Sequence, residues 1–412
     1  MTMNLKQHDA KHSCSSALFA LVRRRTRSDG WHAFGREPVS MLVDAIHAYA
    51  AARRRHATHL FRLETKLVRL REAFICAGIV MTAFFAIPCG ANSAELAFGP
   101  QVADPAKIIG SDACAKCHQQ EVQQWMRTPH FATFDTLHRL PEAKQIAERM
   151  GLRSIKRGQI CTQCHYTEQN QGGRLRVVAG VSCESCHGGA ADWVAVHADY
   201  GGEGVNKAAE SAEHQEQRLK ESIALGMNNP HNIYLIARQC FDCHTVPHES
   251  VVNQGGHLAG SQDFELVAWS QGIVRHNFLR TGGTVNGALS PAELRVMYVV
   301  GVLTDLEYSL RAVAAATQKA TFGTTNAQRA ARMKQRLHEI QKLINDPLLS
   351  PAIDAVAEVE LRLNNKEAIV AAAEAVGKAA FTFAEQADGN RLAALDPLIP
   401  QPTQYKNDAL NR

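Results

Sequence analysis

The sequence predicts a mainly α chain with little regular sheet: a cysteine- and histidine-rich region of short helices and loops, then an antiparallel helical bundle. Three observations carry this. The pentapeptide C-x-x-C-H occurs four times between residues 114 and 244. The residues around those motifs hold few long hydrophobic runs, and RLRVV (174–178) after Gly172-Gly173 is the one hairpin signal among them. From Ser290 onward, helix-start signals followed by apolar-periodic stretches recur without a single cysteine.

The motifs are Cys114-Ala115-Lys116-Cys117-His118, Cys161-Thr162-Gln163-Cys164-His165, Cys183-Glu184-Ser185-Cys186-His187 and Cys240-Phe241-Asp242-Cys243-His244. This spacing is the attachment signature of a c-type haem. Two thiols add across the two vinyl groups on one porphyrin edge, and the next residue reaches the iron with an imidazole nitrogen. Two C-x-x-C pairs could also build a zinc site, but zinc needs no histidine directly after each pair, and here all four have one. A disulfide framework fits no better. Of 11 cysteines, eight belong to the motifs, and the other three, Cys14, Cys76 and Cys89, all precede residue 90. The residues therefore call for four covalently attached haem c groups, with Cys114, Cys117, Cys161, Cys164, Cys183, Cys186, Cys240 and Cys243 as anchors and His118, His165, His187 and His244 as proximal ligands.

Taken in order along the chain, residues 1–67 show no steady periodicity and no motif, and read as a disordered or non-native basic extension. Residues 73–87, AFICAGIVMTAFFAI, are an uncharged run of 15, preceded by Arg62, Lys66, Arg69 and Arg71 and followed by Pro88 and small residues. Residues 68–94 thus read as a secretory signal, cut after Ala91 or Ala94, with translation starting near Val68. The run is short for a membrane span, which needs about 20 apolar residues, so membrane attachment would come only through an uncleaved signal. Charge divides at the same place. Residues 1–94 hold 14 Lys and Arg against 6 Asp and Glu, a net of +8, and the remainder holds 31 against 34, a net of −3. No basic patch is left for nucleic acid.

Residues 95–285 form the haem region, with helices expected over 119–127 and 136–150. About 185 residues must wrap four large apolar macrocycles, so the haems supply most of the core and the haem-free region should be largely unfolded. Only 22 positions separate Cys161 from Cys183, which brings the second and third haems close.

CAKCHQQEVQQWMRTPHFATF (114–134) and CTQCHYTEQNQGG through VSCESCHGGAADWVAVH (161–197) resemble the tetrahaem cytochrome c554 family, a resemblance covering about residues 110–245. It implies a periplasmic, mostly helical electron carrier with haems in near-contact pairs. By resemblance His130 is the distal ligand of the third haem and His197 caps the first. The family leaves its second haem, whose proximal ligand here would be His165, five-coordinate; whether His231 or His257 closes it stays open. From the residues themselves, His276 is expected on a helix starting near Ser261–Asp263 and is favoured for the fourth haem. His257, behind two glycines, is a candidate for the fourth or second. His138, His214 and His248 are not expected to ligate.

Residues 286–392 read as the bundle. Ser290-Pro291-Ala292-Glu293 is an N-cap, Pro at N1 and acidic N3, opening a helix through 294–320 that Gly323 ends. Further helices are expected over 326–345, from Ser350-Pro351 through 363, and over 366–387. The region has no catalytic constellation and could dock partners or carry oligomer contacts. Residues 393–412 read as a flexible tail.

These readings point to a periplasmic tetrahaem cytochrome of a Gram-negative bacterium, not an enzyme. It would transfer single electrons between redox partners: a quinol-linked or dehydrogenase donor and a terminal acceptor. The alternatives are a redox enzyme acting on a small nitrogen or oxygen compound at one open haem, and a structural subunit whose bundle docks a partner enzyme with the haems as relay.

Overall fold

A computed structural model describes residues 102–407. The expected extension at 1–67 and the signal at 68–94 lie outside the described residues.

The first half is a chain of short helices hung on the C-x-x-C-H motifs. Helices α1 (Ser111–Ala115) and α2 (Gln119–Trp125) flank the first motif. Helix α3 (Pro129–Thr136) starts at Thr128, whose hydroxyl accepts from Phe131 N, with Pro129 at N1. Helix α4 (Pro141–Arg149) follows a helical turn at Leu137–Arg139, so the expected 136–150 helix is broken at Leu140-Pro141. Helix α5 (Gln159–His165) is the second motif. Strands β1 (Thr167–Gln171) and β2 (Arg174–Ala179) pair antiparallel, with Gln171 opposite Arg174. The two-residue turn puts Gly172 at φ 60° and Gly173 at φ 80°, which a tight hairpin requires and glycine adopts without strain. Helices α6 (Cys183–His187) and α7 (Val194–His197) carry the third motif and His197. Helix α8 (Ala212–Ala224) precedes α9 (Ile233–His244), capped by Asn232 and ending in the fourth motif. Helices α10 (Glu249–Asn253) and α11 (Leu266–Ser270) are single short turns.

The second half is the expected antiparallel bundle: α12 (Pro291–Ala315), α13 (Thr321–Ile344), α14 (Ser350–Ala357) and α15 (Lys366–Gln386). Ser290 and Glu293 form the capping box reciprocally, with Pro291 at N1. Gly323 lies inside the first turn of α13 rather than ending α12, and Ala316 is the C-cap. Ser350 is the first residue of α14, not its cap, because a helical turn at Pro347–Leu349 already leads into it.

Helix α12 is buried on all sides, which only a central helix can be. It packs between α13 and α15 and also against α9 and α11. Its buried carboxylates are paired: Asp305 with Arg329, and Glu307 with Tyr234 (2.8 Å) and Arg311 (2.8 Å). Gly377 on α15 packs directly against the Glu307 side chain. A Cβ there would stand 2.8 Å from the Glu307 carboxylate. Glycine in mid-helix costs about 1 kcal/mol relative to alanine, and the close approach explains its use.

One apolar core runs through both halves. Tyr234, Leu235, Phe241, Leu266 and Val267 share it with Leu303, Leu306, Leu337 and Phe383. The expected boundary at 285/286 therefore falls at the loop before α12, within a single compact unit. Residues 393–407 are folded instead of forming a loose tail. Leu395 is fully buried, Arg295 grips Asp396 through Nε (2.6 Å) and Nη2 (2.8 Å), and Lys406 bonds Ala268 O and Ile273 N, both at 3.0 Å. No helix among the described residues is long and apolar enough to cross a membrane.

Candidate haem sites

Each motif histidine is met by a second histidine from elsewhere in the chain. His118 faces His197 with ring centres 5.9 Å apart, His165 faces His257 at 6.1 Å, His187 faces His276 at 6.2 Å, and His244 faces His130 at 6.4 Å. A metal-bound imidazole nitrogen sits about 2.0–2.1 Å from the metal, and the ring centre about 1.1 Å further back. Two imidazoles on opposite faces of one iron thus have centres about 6.2–6.4 Å apart, which the four pairs approximate. Among the described residues no three His, Cys, Asp or Glu side chains converge as a bare-ion site. The side chains come instead as two thiols and two opposed imidazoles, the set that holds a haem c.

The electrostatics agree. Burial pushes His165 and His187 down to about 4 and His244 to about 3. A neutral imidazole is the form that binds iron. Several rings are also oriented through Nδ1, which lies 3.3 Å from Asn228 O for His187, 2.8 Å from Leu258 O for His257 and 2.7 Å from Val274 O for His276. A carbonyl can only accept, so Nδ1 carries the proton and Nε2 keeps its lone pair. His244 meets the Ser261 hydroxyl at 3.1 Å and stacks on Phe264 at 4.2 Å.

Local structure explains how the motifs are held. The third is capped by Ser182 and Ser185, and its Glu184 carboxylate accepts from Ile109 N (2.9 Å), Gly110 N (2.8 Å) and Ala190 N (3.0 Å). This ties the approach to the first motif onto the third. Consistent with that, the Cys114 and Cys183 thiols lie close enough to shift one another's ionisation, as do those of Cys164 and Cys243. Site one therefore adjoins site three, and site two adjoins site four. The second and third motifs also meet, where the Thr167 hydroxyl donates to Ser182 Oγ at 2.9 Å. An apolar cavity of about 530 Å³ lies between the second and fourth motifs, bordered by Cys161, His165, Cys243, His244, His130 and His257.

His197 lies opposite His118. Two other pairings are exchanged. His130 faces His244 and not His187, and His276 faces His187 and not His244. The expected helix from Ser261–Asp263 to His276 does not form. Helix α11 spans only Leu266–Ser270, and the loop after it is drawn toward the first motif, where Gln124 Nε2 donates to Ile273 O (3.0 Å) and Leu279 N to Glu121 (3.1 Å). That path carries His276 away from the fourth motif. His257 faces the second site, and His231 is exposed. His214 is held by Glu210 (2.8 Å) and His248 by Gln163 (3.1 Å). Sequence reasoning missed the supporting residues Asn228, Ser261, Arg218 and Arg329, for which no local motif exists.

Paired thiols followed by a histidine, each opposed by another imidazole, define a c-type cytochrome carrying covalently bound haem c. Residues 113–188, which hold the first three motifs, match the model of the family described as Cytochrome c554 and c-prime. The chain is also 31% identical over 113 residues to cytochrome c-554 of Nitrosomonas europaea, covering 25% of this chain and 48% of the relative. The chain thus spans about half the length of the curated relative it matches. No solved structure matches.

Proposed function

We propose that the chain is an exported, periplasmic tetrahaem cytochrome that passes single electrons between redox partner proteins. The observation that carries this reading is that all four motif histidines, the second included, face another imidazole at a separation suited to one iron. Haem c supplies reversible one-electron chemistry. The chain's own residues do the rest. Eight cysteines would anchor the groups, and the pairs His118/His197, His165/His257, His187/His276 and His244/His130 would each supply two imidazoles to one iron. With both axial positions so filled, no site remains for a small nitrogen or oxygen substrate, which favours a carrier over an enzyme. The adjoining thiols of sites one and three and of sites two and four support close spacing for electron passage. The signal at 68–94 supports export, and the C-terminal helices offer a surface for partners or for a second copy.

The test is electron paramagnetic resonance of the ferric protein, with CO added to the reduced form and haem counted by intact mass. Four haems, all low-spin and inert to CO, are expected. A high-spin signal with CO binding in the unmodified protein would replace the carrier by an enzyme with an open site.

A further inference from the structure

We propose that Arg329, on bundle helix α13, is a positioning residue that orients the His244 imidazole and so sets the reduction potential of the fourth haem; this rests on the ligand reading above. Arg329 is 1% exposed. Its Nε and Nη2 donate to Asp305 Oδ1 (2.6 Å) and Oδ2 (3.0 Å). Its remaining Nη1 donates to Ser261 O (3.0 Å) and reaches His244 O (3.4 Å). Ser261 N in turn donates to His244 O at 2.8 Å, and Ser261 Oγ stands 3.1 Å from His244 Nδ1. One guanidinium therefore grips both the ligand's backbone and that of the residue bonded to its ring. Asp305 is fixed from behind by Ser309 Oγ at 3.0 Å.

A buried ion pair is weak evidence for stability, since desolvation offsets most of its attraction. Its geometry here serves another end. The guanidinium is planar, and a lysine could not hold two carboxylate oxygens and two carbonyls at once. The first site has a counterpart: Arg218, bound to Glu210 at 2.6 Å and 2.7 Å, donates to His197 O at 3.0 Å. At the fourth site the arginine comes from the C-terminal bundle, outside the segment the cytochrome c554 family matches. The bundle thereby acquires a role at a haem. With Nε2 on iron, Nδ1 donates to Ser261 Oγ, which makes the imidazole a stronger donor and favours the ferric state.

The test uses the full, haem-loaded chain in potentiometric titration followed by electron paramagnetic resonance. H130M first marks the fourth haem by the signal it displaces. S261A, which leaves the ion pair intact, should raise the potential of that haem alone. At fixed poise its ferric-to-ferrous ratio falls about three- to tenfold, or about 30–59 mV for a one-electron couple. R329M should shift the same haem in the same direction, and R329K by less. The proposal is overturned if S261A leaves all four potentials unchanged, or if R329M shifts all four alike. A wild-type fourth haem that is not low-spin would overturn the ligand reading itself, and this proposal with it.

Discussion

Glu184, between the two cysteines of the third motif, offers the sharpest stability test. It is 2% exposed, and its two oxygens accept three backbone N–H groups at 2.8–3.0 Å. Hydrogen bonds to a charged group contribute about 1.5–3 kcal/mol each, against about 1 for neutral ones. In Glu184→Gln the amide oxygen has two lone pairs, so one N–H loses its partner and the others weaken. Ile109 and Gly110 are only partly buried, which discounts the sum to about 3 kcal/mol. With an m-value of about 5 kcal/mol/M in guanidinium chloride, the unfolding midpoint should fall by about 0.6 M. The assay is far-UV circular dichroism of the haem-loaded protein, whose covalent haems stay attached throughout. A midpoint within about 0.1 M of wild type, at unchanged m, would refute the proposed latch between the first and third sites.

Four further outcomes are expected. His257→Ala should convert one haem to high spin and bind about one CO per chain, measured by absorbance titration of the reduced protein. Potential shifts from His130→Ala and Ser261→Ala should be non-additive because both act at one haem, while those from His130→Ala and Asn228→Ala, which removes the Asn228 Nδ2 bond to Cys186 O in the third motif, should add; a double-mutant cycle checks the exchanged pairings. Glu210 is held down to about 2, chiefly by its hydrogen bonds from Arg218. Its folded value lies below its ordinary one near 4.5, so its contribution is full above that pH and is lost as pH falls toward 2. Acid unfolding of Glu210→Gln should be less steep over that window. Gly377→Ala should lower the melting temperature by several degrees despite better helix propensity, because its Cβ meets the Glu307 carboxylate at 2.8 Å; a rise would contradict the packing.

Much of this molecule was legible wherever chemistry is local in the chain. The motifs announce their cofactor, Gly172-Gly173 announces the hairpin, and Ser290 with Glu293 marks the start of α12. Helix α15, expected over 366–387, spans Lys366–Gln386. What was not legible depends on where loops travel. Whether His276 serves the third or fourth site turns on the tethers from Gln124 and Glu121, which lie some 150 residues earlier. The ordered tail was hidden for the same reason: prolines suggested looseness, but Lys406 is fastened to residues 268 and 273. Arg329 has no signature, since its partners Asp305, Ser261 and His244 meet only in three dimensions.

The contacts between thiols of different motifs bear on the order of biogenesis. In this fold the Cys114 thiol lies near that of Cys183, and the Cys164 thiol near that of Cys243. A polypeptide that closed up before receiving its porphyrins, in an oxidising compartment, would offer these sulfurs to one another and cross-link the wrong partners. Vinyl addition before tertiary closure would spare the chain that fate, since a sulfur already in a thioether has no thiol left to cross-link.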